Sequence, residues 1–367
     1  MRIVCISSSQ IPSDTANSIQ VMKVCQAFTQ LGHDVLLLVP GATGSGADKP
    51  SLFRHYGILT PFEIEWISSP SRRWFPWKAV ARALKEKPDL SYCWAFQSAV
   101  LSLLLGIPTQ AELHDLPAGR FGRLWLRLFL LIPGRKRLLP ITKSLQELLH
   151  LSKDMSMVAP DGVDLERYAS LPDPEQARRV MGLSQRMTVL CTGHLYPGRG
   201  VELFLQLASR FPKLSFVWVG GRKEDVTRWQ EKSSSQKLEN VTFTGFVPNE
   251  SIPMIQAAAD ILLMPYEEVV TTSSGGNTAQ VCSPMKMFEY MASNRVILSS
   301  DLPVLREILD ETMAVFCPPG NADAWETALS KLLQDKQQAA RLASRGLEAV
   351  KEYSWIARAE KTLQDFA

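Results

Sequence analysis

Residues 283–309 read SPMKMFEYMASNRVILSSDLPVLREIL, and they join a helix start, an apolar face and two charges one helical turn apart. Ser283-Pro284 predicts a cap followed by the first helical residue, because proline fits where the backbone N–H would be unpaired anyway. The free N–H groups and the dipole of such a start suit a phosphate. Lys286 and Glu289 lie three apart and share a face. The lysine can neutralise phosphate charge, and the carboxylate can accept hydrogen bonds from sugar hydroxyls. Asn294 ends the helix, and Val296–Ser299 then predicts a short buried strand. A nucleotide-sugar site would need these parts in this order.

Outward from this stretch, strand-like runs alternate with helical patterns, which predicts parallel sheets with helices on both faces. Arg2–Ser7, Val35–Val39, Asp89–Trp94 and Thr109–Leu113 are strands of a first set, with a helix over Ser18–Leu31 and a glycine-rich loop over Gly41–Pro50. The Pro160-Asp161-Gly162 turn closes that set and opens a linker. A second set begins at Met187, with strands to Gly193, over Ser215–Gly220, Val241–Phe246 and Ile261–Pro265, and helices from Gly200 and over Asn249–Ala258. From Asn321 onward the pattern is mainly helical. The expected organisation is two doubly wound Rossmann-like α/β domains facing across a cleft: 1–165, a linker 166–186, 187–350, and a helix 351–367 packing back towards the first domain. Ligands of such sheets bind beyond the carboxyl ends of the strands.

At 367 residues the chain exceeds one ordinary core, which supports two domains. No run of eighteen apolar residues occurs, so no spanning helix is expected. Met1 leads directly into an apolar strand with no signal-peptide layout. The six cysteines, Cys5, Cys25, Cys93, Cys191, Cys282 and Cys317, form no CxxC pair. They fit buried thiols of a reducing cytosol, and no metal site is expected. Residues 1–150 hold 17 basic and 10 acidic side chains and the remainder 23 and 27, giving +7 and −4. A basic first half suits an anionic partner. Nucleic acid is not expected, because no binding motif accompanies the charge.

Further motifs carry chemistry. In Gly193-His194-Leu195-Tyr196-Pro197-Gly198-Arg199-Gly200, a glycine turn between strand and helix brings backbone N–H groups to an anion, and Arg199 can grip a diphosphate with two donors. Glu112-Leu113-His114-Asp115 closes a strand. Residues 120–137 hold six basic side chains and no acidic one, with Arg120, Arg123 and Arg127 at helical spacing among Phe121, Leu124, Trp125, Leu128 and Phe129. Arg72, Arg73, Trp74, Phe75, Trp77 and Lys78 repeat the mixture. Such a helix can lie in an anionic membrane interface, and the same pattern describes a core helix with a solvated basic edge.

The 283–309 stretch resembles the donor-site signature of retaining glycosyltransferases of family 4 (group 1, GT-B fold), whose members often carry SPLKLFEYMA. The resemblance implies a metal-independent hexosyltransferase that takes a UDP- or GDP-linked sugar, with no other cofactor, and passes it with retention to a glycan, lipid-linked or glycolipid acceptor. It implies that Ser283, Met285, Lys286 and Glu289 bind the donor together with His194, Arg199 and Gly200. Phe246 and Val247, within Thr244-Gly245-Phe246-Val247-Pro248, would meet the base. His114 would be the catalytic or sugar-positioning residue. Asn17 and Ser18 would lie in the loop facing acceptor or diphosphate. The expected location is cytoplasmic, peripheral on the inner face of a membrane. The chain departs from the pattern at Val281, where relatives place a first glutamate, and at His194, where arginine is usual. Sugar contacts would then come from backbone or from the 271–278 loop. A nucleotide-sugar epimerase of the same fold and a non-catalytic partner subunit are the alternative readings.

Overall fold

The computed structural model describes residues 1–42, 48–117, 119–270, 279–364 and 366, apart from the side chains of 119 and 120. The chain forms two compact units, one of residues 1–161 with 355–367 and one of residues 162–354.

In the first unit β1 (Arg2–Ile6), β2 (Asp34–Pro40), β3 (Glu63–Ile67), β4 (Leu90–Cys93), β5 (Thr109–Leu113) and β6 (Lys136–Pro140) form a parallel sheet in the order 3-2-1-4-5-6. β1 and β5 are buried on both faces, as central strands of a parallel sheet must be when helices cover both sides. The order reverses between β1 and β4. Helices Phe75–Lys85, Phe96–Leu104 and Gly119–Leu131 pack side by side, while the first and last helices, Ala16–Gln30 and Trp355–Leu363, pack on each other.

The second unit repeats the plan. β7 (Thr188–Thr192), β8 (Ser215–Val219), β9 (Val241–Phe243), β10 (Ile261–Met264), β11 (Val296–Ser300) and β12 (Ala314–Cys317) are parallel in the order 12-11-10-7-8-9. The reversal falls between β7 and β10, and it fixes where a ligand site can form. One face is sealed by Phe204, Phe216, Trp218 and Trp325, the other by Met287, Phe288, Tyr290 and Met291 of helix Met285–Ala292. Phe288 is fully buried, so truncation to alanine costs about 3–5 kcal/mol by lost transfer and cavity energy.

Several expectations need amending. The helix in the 283–309 stretch starts at Met285 with Pro284 as its cap residue, and no side chain caps it. Ser283 is buried instead of serving as the cap. Asn294 ends the helix as expected, in the left-handed conformation at φ +54°. Residues 166–186, expected as a linker, lie in the second unit. There Tyr168 is buried with its hydroxyl on Gln256, and Arg178 is buried against Asp260. The basic run 120–137 divides into a helix and β6. Strands β3, β6 and β12 were not among the expected strands, although β3 alternates as EIEWI and β12 is the apolar run AVFC; β6 opens on Lys136-Arg137 and lacks either signal. Residues 43–47 of the expected glycine loop lie outside the described residues, and a helix, Lys49–His55, begins within its last part.

Candidate active site

The loop after β7 is seated against the segment after β10. Gly200 has φ +80°, and a Cβ there would stand 1.7 Å from the Pro265 carbonyl oxygen; at Gly198 it would stand 2.0 Å from that of Val269. Only glycine permits this approach, which brings Arg199 to Tyr266. Arg199 Nη1 donates to the Tyr266 hydroxyl at 3.0 Å, and its guanidinium lies 5.1 Å from the ring centroid. Lys286 Nζ lies 4.6 Å from the same centroid and donates to the Thr192 carbonyl at 3.0 Å. Tyr290 ties the lysine's helix to the same strand end, its hydroxyl accepting from Thr192 N at 2.7 Å. Among the described residues neither Arg199 nor Lys286 has a carboxylate within ion-pair distance. Two cations thus converge on one buried tyrosine at the sheet's reversal point.

Around them, Glu289 Oε2 accepts from Gln256 Nε2 at 3.0 Å, and Gln256 Oε1 accepts from the Tyr168 hydroxyl at 2.8 Å. The carboxylate is held by neutral partners in these contacts. His194 stacks on Tyr196, centroids 4.8 Å apart, and Arg222 covers the Tyr196 ring at 5.7 Å. Phe246 is 46% exposed, Val247 is half-buried, and Met285 stands half-exposed at the helix start. Val281 is buried in the core, so it offers no acceptor. The 271–278 loop lies outside the described residues.

The first unit holds a buried ionic group at the end of β5. Glu112 accepts from Arg358 Nη2 at 2.8 and 2.9 Å, from His114 Nε2 at 3.0 Å, and from the Tyr92 hydroxyl. Burial alone would raise the Glu112 pKa, but Arg358 and His114 bring it down to about 2. Burial opposes charge on His114 too; the hydrogen bond and charge of Glu112, with Asp161, override it and raise its pKa. Burial lifts Asp161 to about 6. Asn17 and Ser18, expected in a loop, lie instead in the first turn of the helix Ala16–Gln30; Ser18 is buried, with its hydroxyl donating to the carbonyls of Thr15 and Ser13 at 2.8 and 2.9 Å. It shapes the helix start. Asn17 is exposed and donates to Ser9 Oγ at 2.7 Å.

Tyr266, Gln256 and Arg358 were not singled out by sequence. Tyr266 sits just past a strand end beside the reversal point, a position that could have flagged it. Arg358 is 246 residues from Glu112, and nothing local announces the pairing.

Two doubly wound units, one with paired cations at its reversal point, are the architecture of the GT-B glycosyltransferases. Solved structures of that class superimpose on the whole chain: Anabaena Alr3699/HepE in complex with UDP gives a TM-score of 0.76 at 17% identity, covering 100% of this chain and 99% of that one. Residues 18–167 match the family described as Glycosyltransferase Family 4 and residues 186–335 that of Glycosyl transferases group 1, so the chain belongs to this glycosyltransferase family. It is 27% identical over 207 residues to a GDP-mannose-dependent alpha-(1-6)-phosphatidylinositol monomannoside mannosyltransferase of Mycolicibacterium smegmatis, over 54% of this chain and 53% of the relative. A 2-deoxystreptamine N-acetyl-D-glucosaminyltransferase of Streptomyces fradiae is 25% identical over 308 residues, 72% of each chain. The chain thus spans about half the length of the mannosyltransferase it matches.

Proposed function

We propose that the protein transfers a hexose from a UDP- or GDP-linked donor to a lipid-linked or glycolipid acceptor, with retention and without a metal. The observation that carries this reading is the convergence of Arg199 and Lys286 on Tyr266 with no carboxylate in ion-pair range among the described residues. Two positive charges held by a buried ring and a strand-end carbonyl are preorganised for a diphosphate, whose charge grows as the bond to the sugar breaks. They supply the charge that a divalent cation would otherwise bring. Glu289 binds the ribose hydroxyls, and Ser283, Met285, Gly200 and His194 line the diphosphate and sugar. Phe246 and Val247 meet the base. His114, from the first unit, serves the transfer step rather than donor binding, and Asn17, at the start of the helix Ala16–Gln30, serves the acceptor.

The acceptor class draws on the relatives, which include the phosphatidylinositol monomannoside enzyme and a processive diacylglycerol alpha-glucosyltransferase of Acholeplasma laidlawii. It draws also on the first unit's surface. Trp74, Trp77, Phe121 and Leu131 are 58%, 55%, 68% and 78% exposed, beside exposed Arg72, Arg73, Lys78, Arg123 and Arg127. Large exposed apolar side chains rimmed by cations suit an anionic bilayer. No described helix is long and apolar enough to cross a membrane, and the proposed location is peripheral, on the cytoplasmic face. The Arg120 side chain lies outside the described residues.

The test is turnover of UDP-glucose and GDP-mannose with vesicles containing phosphatidylinositol or diacylglycerol, in the presence of EDTA, with the product anomer assigned by NMR. An α-linked product formed in EDTA supports the reading. An inverted anomer, strict metal dependence, or no transfer from any nucleotide sugar would overturn it.

A further inference from the structure

The ionic group at the end of β5 has more members than the proposed transfer uses. Glu112 is fully buried and satisfied on both oxygens, Oε1 by Arg358 and Tyr92, Oε2 by Arg358 and His114. Arg358 is in turn fixed by the Pro160 carbonyl at 2.8 Å and the Ala159 carbonyl at 3.1 Å. A simple structural ion pair would need only Glu112 and Arg358. Here a third residue, whose side chain is 30% exposed, commits one ring nitrogen to the buried carboxylate.

We propose that Glu112, clamped by Arg358 of the C-terminal helix, is a positioning residue for His114: it holds the ring proton on Nε2 and leaves Nδ1 as the nitrogen that meets substrate. The proposal rests on the reading of His114 as a residue of sugar transfer. An ionised carboxylate only accepts hydrogen bonds, so the nitrogen facing it must carry the proton. Neutral His114 then presents a lone pair at Nδ1, and charged His114 presents an Nδ1–H that can donate to a sugar or phosphate oxygen. A partner on one ring nitrogen sets the role of the other. The charged groups facing His114 are Glu112 and Asp161, which favour its cationic form, and Arg358, which opposes it. Arg358 therefore acts twice. It keeps Glu112 ionised and in place, and it limits how strongly the two carboxylates hold a proton on the ring.

The test uses the full chain labelled with 15N-histidine. Five histidines are present, and His114→Ala assigns the signal by its loss. The expected wild-type neutral tautomer is Nε2–H. Glu112→Gln keeps an acceptor for Nε2–H but removes the charge, so His114 should titrate at lower pH. Arg358→Gln removes the opposing cation, so wherever Glu112 stays ionised His114 should titrate at higher pH. A role confined to stability would not move the titration in opposite directions. Release of nucleoside diphosphate from UDP-glucose or GDP-mannose should fall about 10- to 100-fold in Glu112→Gln, by analogy with loss of the partner that orients a metal-bound histidine. UDP affinity, a property of the second unit, should change less than about twofold, within the scatter of distant, uncoupled sites. If Arg358→Gln fails to fold, the double variant Glu112→Gln/Arg358→Gln removes both charges together, and its His114 should again titrate below wild type. An Nδ1–H tautomer in the wild type, or unchanged His114 titration in Glu112→Gln, overturns the proposal. Shifted titrations with full turnover in His114→Ala would instead overturn the transfer role of His114 and leave the coupling standing.

Discussion

Replacing Lys286 by methionine keeps the length of the side chain and removes its charge. Without ligand, the change should destabilise modestly. The variant loses a cation–π contact of about 0.5–1 kcal/mol and the hydrogen bond to the Thr192 carbonyl. It also relieves the repulsion of two cations that share a ring at 4.6 and 5.1 Å. That geometry puts them within about 10 Å, where repulsion is roughly 0.4–1.7 kcal/mol between the dielectric limits of water and protein surface. A hydrogen bond from a charged donor contributes ~1.5–3 kcal/mol, so the losses exceed the relieved repulsion by about 0.3–3.6 kcal/mol and the ligand-free Tm should fall by no more than about 14 °C. With nucleotide the effect is large. A hydrogen bond to a charged group contributes ~1.5–3 kcal/mol, so the Kd for UDP should rise about 10- to 100-fold. At a UDP concentration of about 100 times the wild-type Kd, the ligand stabilises the wild type by ~2.7 kcal/mol; the variant retains about 0.4–1.4 kcal/mol of this. Titration calorimetry and thermal unfolding with UDP and GDP measure both quantities. Kd values within threefold of wild type for both nucleotides, in Lys286→Met and in Arg199→Met alike, would refute the site.

Three further outcomes are expected. Glu289→Gln preserves the side chain's shape but replaces an anionic acceptor, so donor Kd should rise about tenfold while kcat changes less; a fall in kcat alone would show a direct part in the chemical step. The stability of the first unit should depend on pH in two limbs. Asp161, raised from 3.8 to about 6, is stabilising when protonated, so stability should increase as pH falls from about 6 towards 4. Glu112, lowered from 4.5 to about 2, contributes stability above 4.5 that is lost as pH falls through that range. Denaturant titrations at stepped pH should show Asp161→Asn abolishing the first limb only, and an unchanged profile would exclude Asp161 as its source. Wild-type protein should sediment with anionic vesicles, less so at high salt, and Trp74→Ser/Trp77→Ser combined with Arg123→Glu/Arg127→Glu should leave it in the supernatant; equal recovery for both would refute membrane docking.

What could be read from the sequence was whatever is written locally. The helix Met285–Ala292 announces itself by its apolar face and its proline, and Gly198-Arg199-Gly200 by glycines that nothing else can replace at those backbone angles. Strands such as β1 and β10 are legible because burial on both faces demands continuous apolar runs. β6 begins with Lys136 and Arg137, charged residues that stay half-buried, so its pattern reads as the tail of a basic helix. Tyr266 was missed because its meaning depends on two cations from separate loops, 67 positions away in the case of Arg199. The Glu112–Arg358 pair was missed for the same reason at greater range. His114 was singled out for its family resemblance, while the carboxylate two residues before it, which governs its proton, drew no attention as a buried group.

The first unit is discontinuous in sequence, and that has a consequence for how the protein is made. All six strands of its sheet emerge from the ribosome before residue 141, but the guanidinium that neutralises Glu112 emerges 246 residues after that carboxylate. Until then the nascent sheet must either keep Glu112 hydrated, with the end of β5 open, or carry it as the neutral acid. Removing one partner from a buried pair typically costs about 3–5 kcal/mol, a large share of a domain's stability. Completion of the first unit therefore waits on synthesis of the second. A nonsense codon between residue 141 and Trp355 would spare every strand of the first sheet yet leave a half that is prone to proteolysis, which makes the helix Trp355–Leu363 a built-in check that the second unit has been translated.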